Sequence, residues 1–375
     1  MIGRGLSLGA IFGIPIRVDY SWAVIVFLMT TSFAVGFGQT YPYLGLPARL
    51  FLGLSSCLLL FGSVLAHELS HAVIALRNDV GIRGITLFIF GGAAEMVEEP
   101  KGAGAEFRIA IAGPVMSLLL AACFFALYSV ALGALPLPLL EVMEVLARMN
   151  LLLVAFNVVP GFPLDGGRVL RAALWGIWGK FSAATRVASA VGSFFGAAVV
   201  LMGFMWIFFL DNLIGGLWFV FIGFFLRHAA RGSYQQLVIR QALEGVRAED
   251  LMVRDVPCVP PDMRLSAVLD EVIMPHDVTD VPVVDRGLLV GVLTLKSFER
   301  RDRDELERLT ASEVMTEDLS NETVVPDTEA IKVLSLLASS GRRILVVSDG
   351  VLLGVLSRDE VMRRLRLHLD MGAKL

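Results

Sequence analysis

Cysteine, histidine and charge are all scarce in this chain. Its 375 residues hold three cysteines, Cys57, Cys123 and Cys258. An odd number without close spacing excludes a disulfide framework and a cysteine-ligated zinc site, and leaves three inert small hydrophobes. Charged residues make up 18%, against about 25% in ordinary soluble domains. The net charge of −4 offers no basic surface and excludes nucleic acid as a partner. What fills the sequence instead is apolar: 56% hydrophobic residues and a mean hydropathy of +0.72. That balance predicts membrane spans followed by a more ordinary soluble part.

The chain in order supports this division. Residues 1–19 are short and amphipathic. An apolar span from Tyr20 to about Gly36 is too long for a signal core and lacks a small-residue cleavage site, so it reads as a retained span. Further spans follow at about 50–76, 107–132, 137–157, 188–210 and 213–226. Between the second and third, Gly81 to Met96 sets β-branched and aromatic residues between glycines, the pattern of two short strands forming a small β-hairpin. Ala112-Gly113-Pro114 in the third span reads as a packing notch. The fourth span ends in Asn157-Val158-Val159-Pro160-Gly161-Phe162-Pro163-Leu164-Asp165-Gly166-Gly167, where regular helix breaks. Broken backbone at membrane depth survives only when protein or a water-filled cavity covers it.

Two of only five histidines fall in one string, His67-Glu68-Leu69-Ser70-His71, inside the second span. On a helix His67 and His71 share a face one turn apart and can hold one zinc. Glu68 lies beside them as a candidate general base. Ionisable residues in a membrane-length helix are costly and point to function rather than to a chance match. A catalytic zinc takes three protein ligands and a water. Asp165 is the best third ligand, being the only acidic residue in the broken segment and at matching depth. The alternative is an N-cap for a helix beginning at Gly166. Zinc would lower the pKa of its water to about 7, and Glu68 would take that proton and pass it to a leaving amine.

From about Ala248 the composition becomes ordinary and the sequence repeats. Leu251-Met252 is echoed by Val314-Met315, Val259-Pro260-Pro261-Asp262 by Val324-Val325-Pro326-Asp327, and Gly291-Val292-Leu293-Thr294 by Gly354-Val355-Leu356-Ser357. Each unit reads as strand, helix, two strands, helix. The pair resembles tandem cystathionine-β-synthase-type (CBS) domains over residues 246–370. The resemblance implies an adenine-nucleotide cleft that regulates the attached domain, with a ribose-binding acid three residues after each Thr or Ser. Those positions hold Ser297 and Glu360, with Asp359 adjacent to the second. Only the second repeat therefore offers a carboxylate, and a plain dimerisation or docking module stands beside the sensor reading.

Residues 1–230 resemble the site-2 protease family of intramembrane zinc metalloproteases. The matching motifs are His67-Glu68-Leu69-Ser70-His71, Gly91-Gly92, Ala112-Gly113-Pro114 and Asn157…Leu164-Asp165-Gly166-Gly167. A CBS pair without an inserted PDZ-like segment is similar to the subgroup that includes sporulation-type members. The resemblance implies peptide-bond hydrolysis within or near transmembrane helices of membrane-protein substrates. It also implies that Asn157, with Gly91 and Gly92, steadies substrate or a developing oxyanion; capping the end of the fourth span is the other reading for Asn157. A substrate helix must unwind to expose its amide, and the strands around Gly84–Ala94 could accept it by edge pairing. Two rivals, a CBS-gated transporter or channel and a non-cleaving scaffold for membrane helices, leave the zinc triad unexplained.

The expected architecture is thus a polytopic α-helical membrane protein of about six transmembrane helices with a small membrane-associated β-hairpin, followed by a soluble α/β tandem CBS pair. Its divisions are a protease domain over 1–230, a linker over 231–247, and CBS domains over 248–309 and 310–370, through which the chain could form a homodimer. Basic residues cluster in alternate segments: Arg4 and Arg17; Arg77, Arg83, Lys101 and Arg108; Arg168, Arg171, Lys180 and Arg186; Arg227 and Arg231. Such residues favour the cytoplasmic side, which puts both termini and the CBS pair in the cytoplasm of a cell with this protein in its plasma membrane. A cysteine placed at Thr40 is expected to label from outside the cell and one at Gly102 not to; the reverse pattern would invert the topology.

Overall fold

The computed structural model describes residues 5–89, 91–276, 278–299, 301–319, 322–340 and 343–363. The chain divides into two compact units, Met1–Gln235 and Gln236–Leu375.

The first unit begins with a hairpin that the sequence reading left unassigned, β1 (Gly5–Ile11) and β2 (Ile14–Asp19). In β2 the side chains alternate, with Ile14, Ile16 and Val18 buried and Arg17 exposed, as a half-buried strand requires. Helices α1 (Ser21–Thr40) and α2 (Leu46–Leu76) follow. The second starts four residues earlier than the apolar run suggests, because Pro47 fits the first turn of a helix, where its missing N–H is not needed. Strands β3 (Ile82–Phe88) and β4 (Gly91–Met96) form the expected hairpin. They complete a larger sheet of order β1-β2-β3-β4, in which β2 runs parallel to β3 and β4 is an edge.

Four further long helices and one short one complete this unit: α3 (Ala103–Ala131), α4 (Leu137–Asn157), the short α5 (Asp165–Trp178), α6 (Phe181–Phe209) and α7 (Leu213–Ala242). Among the described residues five helices, α1, α2, α3, α6 and α7, are long and apolar enough to cross a membrane. The expected fourth span, α4, is helical over 21 residues but carries Glu141, Glu144 and Arg148 in its first part, with Arg148 and Glu144 paired. The apolar run of α7 ends near Leu226, yet the helix continues to Ala242, well into the expected linker. Arg, Gln and Ala in that stretch are good helix formers and need no apolar face to persist. Helix α5 ends at Gly179, whose φ of 65° is the left-handed conformation usual after a helix.

The second unit contains one sheet of order β5-β6-β9-β8-β7, with β5 (Asp280–Asp285), β6 (Leu288–Thr294), β7 (Thr323–Val324), β8 (Ile344–Ser348) and β9 (Val351–Leu356). The opening strand expected in the first repeat is reduced to an isolated bridge between Val259 and Val283, where the second repeat has β7 paired with β8. The helix of the second repeat is regular over Ala330–Ser340, whereas its counterpart is broken into Leu265–Ala267, a π-turn over Val268–Ile273 and Met274–His276. Pro275 has no N–H to offer the preceding turn. Each repeat has its own apolar core, and the two interlock. Leu251 and Met252 pack with Val333, Ile344 and Val346 of the second repeat, while Ala311 packs with Val259, Val281 and Leu293 of the first. The last expected residues of the second CBS domain, 364–370, lie outside the described residues.

Candidate metal centre

The site is built where α2, α3 and α5 meet. His67 and His71 project from one face of α2 and are each 3% exposed. Asp165 is the first residue of α5, so the helix starts one residue earlier than an N-cap role requires, and among the described residues its carboxylate makes no capping bond. Instead Asp165 Oδ2 lies 3.1 Å from His67 Nε2 and 3.2 Å from His71 Nε2, and the two Nε2 atoms are 3.2 Å apart. The sequence-predicted triad is therefore a single cluster.

The other ring nitrogens show how the imidazoles are aimed. His71 Nδ1 donates to the Ile109 carbonyl at 2.6 Å, so the proton sits on Nδ1 and the neutral ring presents a lone pair at Nε2. His67 Nδ1 pairs with the Ser117 hydroxyl at 2.8 Å. Both partners come from α3, whose Ser117 is fully buried. Such outer contacts fix the ring orientation of metal-binding histidines.

Two imidazole nitrogens and a carboxylate oxygen thus converge on one point, where the lone pairs of His71 Nε2 and Asp165 Oδ2 repel each other. A divalent cation relieves that repulsion. Ligand atoms about 2.0–2.1 Å from a tetrahedral zinc lie about 3.3 Å from one another, close to the three separations here. Two imidazoles and a carboxylate are also a donor set that zinc accepts readily. The residues present fit the ion.

Gly113 of α3 faces this cluster so closely that a Cβ there would overlap both Nε2 atoms. The sequence reading took Ala112-Gly113-Pro114 for a packing notch. The notch is real, but what it accommodates is the pair of imidazoles. Ser117 and the Ile109 carbonyl went unnoticed in the sequence. Their one-dimensional signal is weak, since a serine and an isoleucine in an apolar helix are ordinary.

Glu68 is half-buried beside the sheet. Its Oε2 accepts from the Ala94 N–H of β4 at 3.2 Å, and a Cβ on Gly92 would come within 2.6 Å of its Cγ. Glycine at 92 is what lets β4 lie over the carboxylate. Gly91, with φ of 128°, starts the same strand. It also lines an apolar cavity of about 260 Å³ together with Ile25, Met29, Leu60, Val64 and Trp218. Asn157 is the last residue of α4 and half-buried. Among the described residues its side chain makes no hydrogen bond, either to the triad or as a cap.

The nucleotide candidates are apart from these. Asp359 is exposed, and the Glu360 carboxylate is paired with Arg363. Ser297 serves the fold, its hydroxyl donating to the Val314 carbonyl at 3.4 Å. A cleft between the repeats is lined by Asp280, Pro282, Val292, Glu322, Arg343, Leu345 and Val355, without either candidate acid, and its volume is about 10 Å³. Small-molecule sites occupy about 300–1,000 Å³, far more than this cleft.

Comparison with known proteins places both parts of the chain. The profile of peptidase family M50 matches residues 55–137 and 129–203, and that of the CBS domain matches 248–302 and 311–367. The candidate zinc metalloprotease sll0528 of Synechocystis sp. is 32% identical over 372 residues, covering 97% of this chain and 96% of the relative. The candidate zinc metalloprotease Rip3 of Mycobacterium tuberculosis is 33% identical over 371 residues, covering 97% and 93%. Among solved structures, the site-2 protease from Methanocaldococcus jannaschii matches 61% of this chain and 95% of its own, at 27% identity and a TM-score of 0.42. The fold and the site define a membrane-embedded metallopeptidase with a CBS pair. The chain belongs to peptidase family M50, the site-2 proteases.

The crowding at Gly113 gives a direct test of the centre. Alanine at a helix interior position is favoured over glycine by about 1 kcal/mol, so Gly113→Ala is expected to keep its helical far-ultraviolet spectrum. Its new methyl group occupies the space between the imidazoles, and metal analysis of the purified protein is expected to find most of the zinc gone.

Proposed function

We propose that this chain is a zinc-dependent intramembrane endopeptidase that hydrolyses peptide bonds within or near transmembrane helices of membrane-protein substrates. The observation that carries the reading is the convergence of His67 Nε2, His71 Nε2 and Asp165 Oδ2 within 3.2 Å of one another, beside Glu68 and at the end of apolar helices. These three residues would hold one zinc. Bound there, zinc supplies the Lewis acidity that polarises the scissile carbonyl and brings the pKa of the attacking water to about 7.

The chain's own groups do the rest. Glu68 takes the proton from the attacking water and delivers it to the leaving amine nitrogen. Its contact with the Ala94 N–H holds the carboxylate against β4. As an edge strand among the described residues, β4 offers backbone groups beyond the Ala94 N–H to an unwound substrate segment, which would add as a further strand. Small side chains at Gly91, Gly92, Ala93 and Ala94 leave that edge open close to Glu68. The adjoining apolar cavity of about 260 Å³ suits an apolar side chain of the substrate. Asn157, by its place in the family motif, is assigned to steadying substrate or the developing oxyanion.

We place the protein in the plasma membrane with both termini cytoplasmic, on the distribution of its basic residues. The CBS pair is then a cytoplasmic regulatory module and a candidate homodimer contact. Should adenine nucleotide be its signal, the second repeat supplies the carboxylate, from Glu360 or Asp359.

Purified wild type and Glu68→Gln, assayed on membrane proteins recovered with the Glu68→Gln form as a trap, test the chemistry. The variant is expected to keep zinc and lose cleavage by about 10²–10⁴-fold, the usual contribution of a positioned base. Near wild-type cleavage would sink the base assignment. Asp165→Ala is expected to lose zinc; full zinc occupancy would move the third ligand elsewhere.

Calorimetric titration of ATP and AMP into the full-length protein tests the tail. Binding that weakens in Glu360→Ala or Asp359→Ala supports the sensor. Absence of binding at millimolar nucleotide leaves docking or dimerisation.

A further inference from the structure

The first unit buries a second polar cluster that the proteolytic chemistry leaves unused. Glu106 on α3 is fully buried and Arg171 on α5 is 7% exposed. Arg171 Nε donates to Glu106 Oε1 at 2.6 Å. Arg171 Nη2 lies 3.4 Å from Glu99 Oε2 in the connection between β4 and α3. The guanidinium also sits 5.0 Å from the ring of Phe162, in the broken segment before α5, and 4.6 Å from that of Phe181, at the start of α6. One side chain therefore touches α3, the strap from β4, the segment leading into α5 and the head of α6.

Its helix is the one that presents Asp165. Arg171 follows Asp165 by six residues, about 9 Å along the axis. Rotating a helix by about 10° moves an atom on its rim, about 5–6 Å from the axis, by about 1 Å. Productive metal geometry tolerates about 0.5 Å. The histidines are both set by α3, through Ser117 and the Ile109 carbonyl. Among the described residues Asp165 makes no contact of that kind, and its Oδ2 meets only the two histidine Nε2 atoms. Something must fix the rotation of α5 against α3, and the planar, buried Arg171–Glu106 pair joins those two helices. Unpaired charges there would be strongly unfavourable, so the pair holds one arrangement.

We infer that Arg171 and Glu106 are positioning residues, whose ion pair sets the rotation of α5 and so delivers Asp165 to the histidine pair. The inference rests on the zinc reading above. It assigns no contact with substrate or metal to either residue.

The test uses full-length protein loaded with Zn(II) or Co(II). Its readouts are metal affinity by chelator competition and the visible Co(II) spectrum. Arg171→Met is expected to keep its helical content, to bind metal about 10–100-fold more weakly, the range found for supporting partners of ligands, and to show a Co(II) spectrum moved towards that of Asp165→Ala. The double variant is expected to bind metal no more weakly than Asp165→Ala alone, because both changes remove the same ligand. Exchanging the charges, with Glu106→Arg and Arg171→Glu together, is expected to recover part of the affinity lost in Arg171→Met. If Arg171→Met does not fold, Arg171→Lys keeps the charge without the planar fork, and its affinity and spectrum are compared in the same way. Wild-type affinity and spectrum in the folded variant, or losses that simply add in the double variant, would overturn the inference while leaving the zinc site standing. A wild type that binds neither ion would overturn both.

Discussion

Bringing two imidazoles and a carboxylate within about van der Waals contact, inside a bundle of apolar helices, is the constraint from which the membrane unit follows. Left alone these groups repel one another and lose their hydration, so each must be held from behind. On α2 the histidines are held by α3 through a hydroxyl and a carbonyl. Asp165 comes from the other direction, at the head of a short helix that follows a broken segment. Regular helix could not deliver it there, because a continuous α4 would carry the chain past the site. The interruption after Asn157 is therefore a requirement of the chemistry. Part of its backbone is satisfied by neighbours, as where Phe162 N–H donates to the Ala188 carbonyl. That is how irregular chain persists among apolar helices.

The sequence made some of this plain and hid the rest for physical reasons. His67, Glu68 and His71 are legible because their relation is local: spacing along one helix fixes a shared face. Asp165 is legible only indirectly, through its matching depth. Ser117, the Ile109 carbonyl, Glu106 and Arg171 depend on how α3 sits in register against α2 and α5, and no periodicity in a single strand of sequence carries that. Gly113 was visible but ambiguous, since a glycine in an apolar helix serves close helix packing as readily as it serves a ligand.

The fold shows the same division. The helices and the hairpin of β3 and β4 announce themselves by composition. The hairpin of β1 and β2 does not, because β1 is exposed throughout and shows no inside–outside alternation. The full length of α7 is hidden where hydropathy falls away while helix propensity does not. In the second unit the repeat was evident, but its interlocking was not. The segment around Leu251 completes the core of the later repeat, and the one around Ala311 that of the earlier. Similar sequence segments give no sign of which copy they pack against.

The contacts that hold His67, His71 and Asp165 also bear on the proposed approach of a substrate. α3 lies against the histidines closely enough that Gly113 has no room for a methyl group. α5 closes another side with Asp165 itself, and Arg171 and Glu106 join these two helices behind it. β4 covers Glu68, with Gly92 pressed on the carboxylate. Among the described residues β4 is an edge strand, with β3 on one side and no strand on the other, and its Ala94 N–H is taken by Glu68. In the proposed reading an extended peptide added there would lie beside Glu68, exchanging the Ala94 contact while leaving those that orient His67 and His71 in place. Approach through α3 or α5 would instead move the donors that the reaction needs. On the proposed function, a fixed, buried triad thus favours the sheet edge as the place where the substrate backbone would be met.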